Sequence, residues 1–311
     1  MFVDAIEKVG GFTRPLFTIS RNYGSEQIDP GAATMFFVNE EGWAVTCKRV
    51  AMMVVDAAKI EKKYADFRKQ KAGLGHGFNA EEQLRGLEEV FKYTPGTLAQ
   101  LKVNFVDCVD MIKSVQCKIH PQADLALIKF DGFTKTAYKG HAVFGDEDNE
   151  IKQGKFMCRL GFPFPEFTNF VYDAAKDDIG WTREGAKTSP RFPMEGMVTR
   201  LIAAKDAGLV GIELSTPGLK GQSGGPLFDT RGIVYGMQSA ISPLNLGQCV
   251  HMNVIKQFLI KEGVTFYTEK GMIKGIPQAG HGGSSGGFGG GNIGGSGFSG
   301  LEGSGGSTLK M

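Results

Sequence analysis

The stretch Gly221–Asp229, GQSGGPLFD, sets a serine between glycines and follows it with Gly-Pro and an apolar run. Glycines on both sides let the chain fold tightly around Ser223 and let a second backbone approach it closely. A hydroxyl presented in this way, beside main-chain N–H groups, suits a nucleophile next to an anion-binding turn. The turn Gly221-Gln222-Ser223 offers the N–H groups of Gly221 and Ser223 as donors for an oxyanion. An ordinary glycine turn is the competing reading, and the surrounding chain has to decide between them.

Alternating apolar runs bounded by Gly, Asn and Asp recur on both sides of the turn. Those from Met35 to Cys47 and from Leu101 to Phe130 predict the strands of a first barrel. KFMCRLGF (Lys155–Phe162), GMVTRLIAA (Gly196–Ala204), LVGIEL (Leu209–Leu214), GPLFD and GIVYGMQSA (Gly232–Ala240) predict those of a second. The expected fold class is all-β, with two six-stranded antiparallel barrels. Within the first lobe, VVDAAKIEKKYADFRKQ and NAEEQLRGLEEVFKY predict a helical insertion over 52–95. Asn79 and Glu82 have capping-box spacing there, and Leu84, Leu87, Val90 and Phe91 make one apolar face. The insertion reads as a hairpin packed on the barrel wall, with a lid or docking arm as the alternative. A last helix is expected from Asn253. From Gly280 to Gly306 glycine dominates, with isolated Phe288, Ile293 and Phe298, which predicts a disordered tail. The lobes are expected at 1–150 and 151–265, and the tail at 266–311.

A chain of 311 residues is long enough for two lobes, and its net charge of +2 produces no strong field, so neither nucleic acid nor a membrane surface is an expected partner. The N-terminus carries acids and a lysine where a secretion signal needs an apolar core, and no apolar run is long enough to span a bilayer. Cys47, Cys108, Cys117, Cys158 and Cys249 are odd in number and far apart, which predicts buried free thiols, no metal site and no cofactor, and a reducing, cytoplasmic location.

GQSGGPLFD resembles the nucleophile turn of the trypsin-like serine peptidases. HPQADLALIKF (His120–Phe130) resembles the aspartate strand of that family, especially its Deg-type (HtrA-like) branch, with Asp124 at the position of the triad acid. GWAVTCKRVAMMV (Gly42–Val54) resembles the segment that carries the family's catalytic histidine, but here that position is Arg49. GKFMCRLGFPFP (Gly154–Pro165) resembles the segment that opens the second lobe in Deg-type chains. The resemblance covers roughly Ala33–Glu262, apart from the helical insertion, and the residues left after the barrel are too few and too polar for the PDZ domain that many Deg-type proteins carry.

The resemblance implies endopeptidase chemistry at Ser223 and Asp124 with an oxyanion hole at Gly221, Gln222 and Ser223. It places the first substrate pocket at Pro217 and Gly218, with Met237, Gln238, Ser239 and Ala240 along its wall and edge. With no acid at Pro217, a small or medium apolar side chain is the expected occupant. Arg49 breaks the pattern, because a guanidinium cannot be deprotonated in a protein and so cannot accept the serine proton. It is expected to pair with Asp124 instead. His120 stands about 13 Å along the strand from Asp124. His141 and His251 have no flanking pattern, and His76 and His281 fall in glycine-rich segments, so none is expected to replace the base. Two functions stay open: a serine endopeptidase lineage that is inactive with Arg49, and a pseudo-peptidase that binds peptide or assembles. In both, the partner is unfolded or extended polypeptide, with self-association through the helices or tail.

Overall fold

The computed structural model describes residues 1–74, 79–146, 151–182, 189–205, 208–276 and 307–308. Helix α1 (Val3–Phe12) turns Ala5, Val9 and Phe12 inward. The first sheet follows from β1 (Thr13–Asn22), β2 (Ile28–Phe37), β3 (Trp43–Thr46), β4 (Leu98–Phe105), β5 (Ser114–Ile119) and β6 (Ala126–Asp131), in the order β4-β1-β2-β3-β6-β5, with the two-residue strand β18 (Ser307–Thr308), within the expected tail, paired to the outer edge of β4. Pro15 lies within β1, opposite Thr34 of β2, and pairing with β4 begins one residue later at Leu16. Its missing N–H therefore deprives β4 of nothing, and Thr34 turns its own N–H away, to the carbonyl of Ser223 at 2.9 Å. That is why a proline-bearing segment can serve as an inner strand here.

The first sheet is an open half-barrel, since no pairing joins β4 to β5 among the described residues. Helix α2 (Lys48–Ala72) packs against both of these strands. Val50, Val54, Ala57, Glu61 and Tyr64 recur every three or four residues along its buried face. Glu61 Oε1 accepts the N–H of Leu101 on β4 at 3.0 Å. Helix α3 (Ala80–Phe91) lies beyond α2 with Leu84, Leu87 and Phe91 against a small aromatic cluster of Tyr64, Phe67 and Tyr93. Two details of the predicted hairpin are corrected. Asn79 makes no side-chain cap bond, and Val90 is 76% exposed, because the helix rests on the aromatic cluster through the 84–87–91 stripe alone. The insertion also begins earlier than residue 52, at Lys48, so Arg49 belongs to the first turn of α2.

The second sheet contains β7 (Val143–Phe144), β8 (Phe156–Gly161), β11 (Phe192–Ala204), β12 (Gly208–Leu214), β13 (Pro226–Phe228), β14 (Val234–Ile241) and β15 (Gly247–His251). The hairpin of β9 (Asn169–Asp173) and β10 (Asp178–Thr182) is a separate sheet. The ring β13-β8-β11-β12-β15-β14 closes through the β13–β14 pairing, giving a six-stranded barrel. β7 sits between β14 and β16 (Phe266–Thr268), parallel to both, and β17 (Gly271–Ile273) follows. Residues 266–273 thus form strands, and the stretch read as tail begins later than expected. Helix α4 (Met252–Lys261) is the expected last helix. The Gly280–Gly306 segment, His76 and His281 lie outside the described residues.

The fold is all-β in its body, two barrel-like sheets with four α-helices among the described residues. One continuous apolar core runs through both, with Phe36, Phe37, Phe105, Phe130, Phe144 and Phe228 fully buried. All five cysteines are free, and all but the half-buried Cys117 are buried. No helix among the described residues is long and apolar enough to cross a membrane.

Candidate active site

The serine turn is held by the other sheet. Thr34 of β2 is fully buried; its hydroxyl donates to Gly221 O at 2.8 Å and accepts from Phe162 N at 3.1 Å, while Thr46 donates to Thr34 O at 2.8 Å. On its other flank the turn is laced to β14: Gly224 N donates to Gln238 O and Gln238 N to Gly225 O, both at 2.8 Å. Gly224 has φ +91°, and a Cβ there would lie 2.0 Å from Thr34 O. No side chain fits that approach, so the glycine after Ser223 is a packing requirement as well as a conformational one. Gly221 has φ +99°.

The N–H groups of this turn divide by position. Gln222 N donates to Leu219 O at 3.1 Å, and Gly225 N to Gln222 O at 2.9 Å. Those of Gly221 and Ser223 have no acceptor among the described residues, although Gly221 is buried. Main-chain donors in a folded interior are nearly always paired, and two unpaired ones flanking a single residue are what an anion seat requires.

Arg49 comes to this turn from α2. Its Nη2 donates to Ser223 Oγ at 2.7 Å and also to the carbonyl of Ser239 on β14. The expected pairing with Asp124 is corrected: Asp124 Oδ1 meets Arg49 at its main-chain N–H, at 3.4 Å, and not at its guanidinium. Asp124 stands just ahead of β6 and under the start of α2, where the main chain of Arg49 is nearer than its long side chain. The guanidinium forms no ion pair among the described residues, and its charge faces the serine. Cys47, the residue before α2, lies between these groups with its thiol donating to Gln238 O at 3.3 Å. Burial and the neighbouring Asp124 charge push that thiol's pKa up, which keeps it a neutral filler.

Of the three residues expected as a group, Arg49 touches the other two, Ser223 through its guanidinium and Asp124 through its main-chain N–H. Pro217, Gly218, Met237, Gln238, Ser239 and Ala240, expected as the pocket, fall on β14 and on the loop before the serine turn, and a residue not singled out from the sequence lies against them. Arg159 of β8 is fully buried there, with Nη1 donating to Gln238 Oε1 at 2.7 Å and Nη2 to Thr216 O at 3.0 Å. Burial lowers its pKa, and its Nε has no partner among the described residues. A Cβ on Gly218 would lie 2.9 Å from Nη1, and one on Gly247 2.3 Å. Two glycines thus leave the guanidinium its room. Thr34 was missed as well, since AATMFF reads only as an apolar strand. A charged residue inside KFMCRLGF was the one available signal for Arg159.

None of the described histidines reaches Ser223. His120 Nδ1 accepts from Ala123 N at 2.8 Å in the turn before β6. His251 caps α4 by accepting from Asn253 N at 3.1 Å, and burial brings its pKa down to about 4. His141 stacks on Tyr267 with ring centroids 3.8 Å apart. Among the described residues, no group of His, Cys, Asp or Glu is arranged to hold a metal ion.

Chemically, the site has a hydroxyl, two open N–H donors and a fixed positive charge, and among the described residues no group placed to receive the hydroxyl proton. No protein family matches the chain, and no curated protein is similar to it in sequence. In structure it is similar to a protein described as Deg5, at 16% sequence identity and a TM-score of 0.46, over 84% of this chain and 95% of that one.

Proposed function

We propose that this chain is built on the frame of a trypsin-like serine endopeptidase and binds extended polypeptide in its cleft without hydrolysing it. The observation that carries this reading is the bond from Arg49 Nη2 to Ser223 Oγ at 2.7 Å. A permanently protonated group stands where the serine proton would have to go. Loss of the base from such a unit costs on the order of 10⁶ in turnover, leaving only the effects of binding and of the oxyanion donors. The cleft keeps the means to bind. Beyond Gln238, β14 pairs only with β15 among the described residues, so its outer edge toward Ile241 is open for a peptide to add, although Gln238 Nε2 already donates to Ala240 O at 2.8 Å. The pocket beside it, at Pro217 and Gly218, takes a small or medium apolar side chain, while the Arg159 guanidinium beneath is engaged by Gln238 and Thr216.

The test is labelling by a fluorophosphonate probe together with cleavage of unfolded casein, each compared with Ser223→Ala. The expected result is no difference between the two proteins. Labelling or cleavage that depends on Ser223 contradicts the reading. A second reading, an endopeptidase lineage of which this chain is the base-less form, is favoured by the unpaired N–H groups of Gly221 and Ser223.

A further inference from the structure

We propose that the cleft captures the free C-terminal carboxylate of a peptide, seated between the Arg49 guanidinium and the N–H groups of Gly221 and Ser223. This rests on the peptide-binding reading and names the chemical group that the site selects.

Three features converge on an anion. Arg49 is exposed and its guanidinium is without an ion pair: Asp124 meets the main-chain N–H of the same residue, and no carboxylate pairs with the side chain among the described residues. Among the described residues only Nη2 is engaged, by Ser223 Oγ and Ser239 O, so Nη1 and Nε keep their donors. The turn adds two main-chain donors without acceptors, on either side of Gln222, whose own N–H is committed to Leu219. Ser223 belongs to both sets, since its hydroxyl accepts from Arg49 and its N–H is one of the free donors.

The arrangement distinguishes a chain end from a continuing chain. A peptide carbonyl placed in the turn satisfies the two N–H groups, but the next residue's N–H then faces a guanidinium, donor against donor. A terminal carboxylate puts one oxygen in the turn and the other against Arg49, where the bonds are charge-assisted and about twice as strong as neutral ones. No bond is made or broken; the site holds an end and leaves it intact.

The experiment uses the full chain and fluorescein-labelled hexapeptides, randomised at the first five positions and ending in Ala, Val or Leu, prepared both as C-terminal carboxylates and as amides. Binding is read by anisotropy for the native protein and for Arg49→Gln, with far-UV circular dichroism as the check that the exposed substitution leaves the fold intact. The expected result is at least roughly tenfold tighter binding of the carboxylate form, with the preference lost in Arg49→Gln because the carboxylate affinity falls to that of the amide. Equal affinity for the two forms overturns the carboxylate proposal and leaves the peptide-binding cleft standing. A carboxylate preference that survives in Arg49→Gln overturns the seat described here. If neither form binds, both the capture of chain ends and the peptide-binding reading fall.

Discussion

Arg49 and Asp124 are neighbours without being an ion pair: the carboxylate accepts the main-chain N–H at 3.4 Å, and the guanidinium turns the other way, to Ser223 at 2.7 Å. The cause is the place of Arg49 in the first turn of α2. The helix start presents its N–H to Asp124, and the side chain is long enough to pass over to the serine turn. The acid then holds the backbone of Arg49, and the positive charge is left to the cleft.

The serine turn owes its shape to contact with β2, which makes Gly224 its most sensitive residue. With φ +91° and a Cβ position 2.0 Å from Thr34 O, Gly224→Ala must displace either the turn or β2. The substitution is expected to lower stability by roughly 2–4 kcal/mol and to abolish peptide binding. Chemical denaturation checks the first effect and anisotropy the second; native-like values in both contradict the packing described.

Glu61 makes stability depend on pH in a defined window. Burial raises its pKa from 4.5 to about 7, against the pull of Lys102 and the bond from Leu101 N. A carboxyl whose folded pKa lies above its unfolded value binds protons better in the native state. Its contribution is therefore full below about pH 4.5 and is lost as pH rises through 7. Glu61→Gln keeps an acceptor for Leu101 N and removes the titration. It is expected to be more stable than the native chain at pH 8, by on the order of 2 kcal/mol, and to differ little at pH 4. A difference that does not change with pH contradicts this account of α2 against β4.

The thiols are fillers rather than reactive groups. Burial pushes Cys117, Cys158 and Cys249 up to about 12 and shifts Cys47 and Cys108 upward as well. The native protein at pH 8 is expected to react with Ellman's reagent only very slowly, and all five thiols to react after denaturation in guanidinium. Fast reaction of Cys47 in the native state would show the interior of the candidate site to be open to reagent.

Much of the second barrel was legible because its strands are bounded by glycine turns and because GQSGGPLFD carries its own local chemistry. β1 was not, since Pro15 breaks the pattern and is excused only by a neighbour, Thr34, that turns toward Ser223. β15, GQCVH, is too short and polar to stand out, yet it is needed to close the ring. The cap of α3 failed because packing on Phe67 and Tyr93, rather than Asn79, fixes that helix. In the site, the meeting of Ser223, Asp124 and Arg49 was readable from motifs, whereas the direction of the Arg49 side chain and the burial of Arg159 under Gly218 and Gly247 depend on contacts across the fold.

The central claim is that the frame is intact and only the base is missing, and Arg49→His tests it most directly. An imidazole in the first turn of α2, between Asp124 and Ser223, is expected to donate to the acid and accept from the serine. Fluorophosphonate labelling of the variant should then appear, depend on Ser223, and fall when Asp124→Asn is added. Cleavage of unfolded casein should accompany it, after small or medium apolar residues. A variant that folds like the native chain and takes up no probe contradicts the claim.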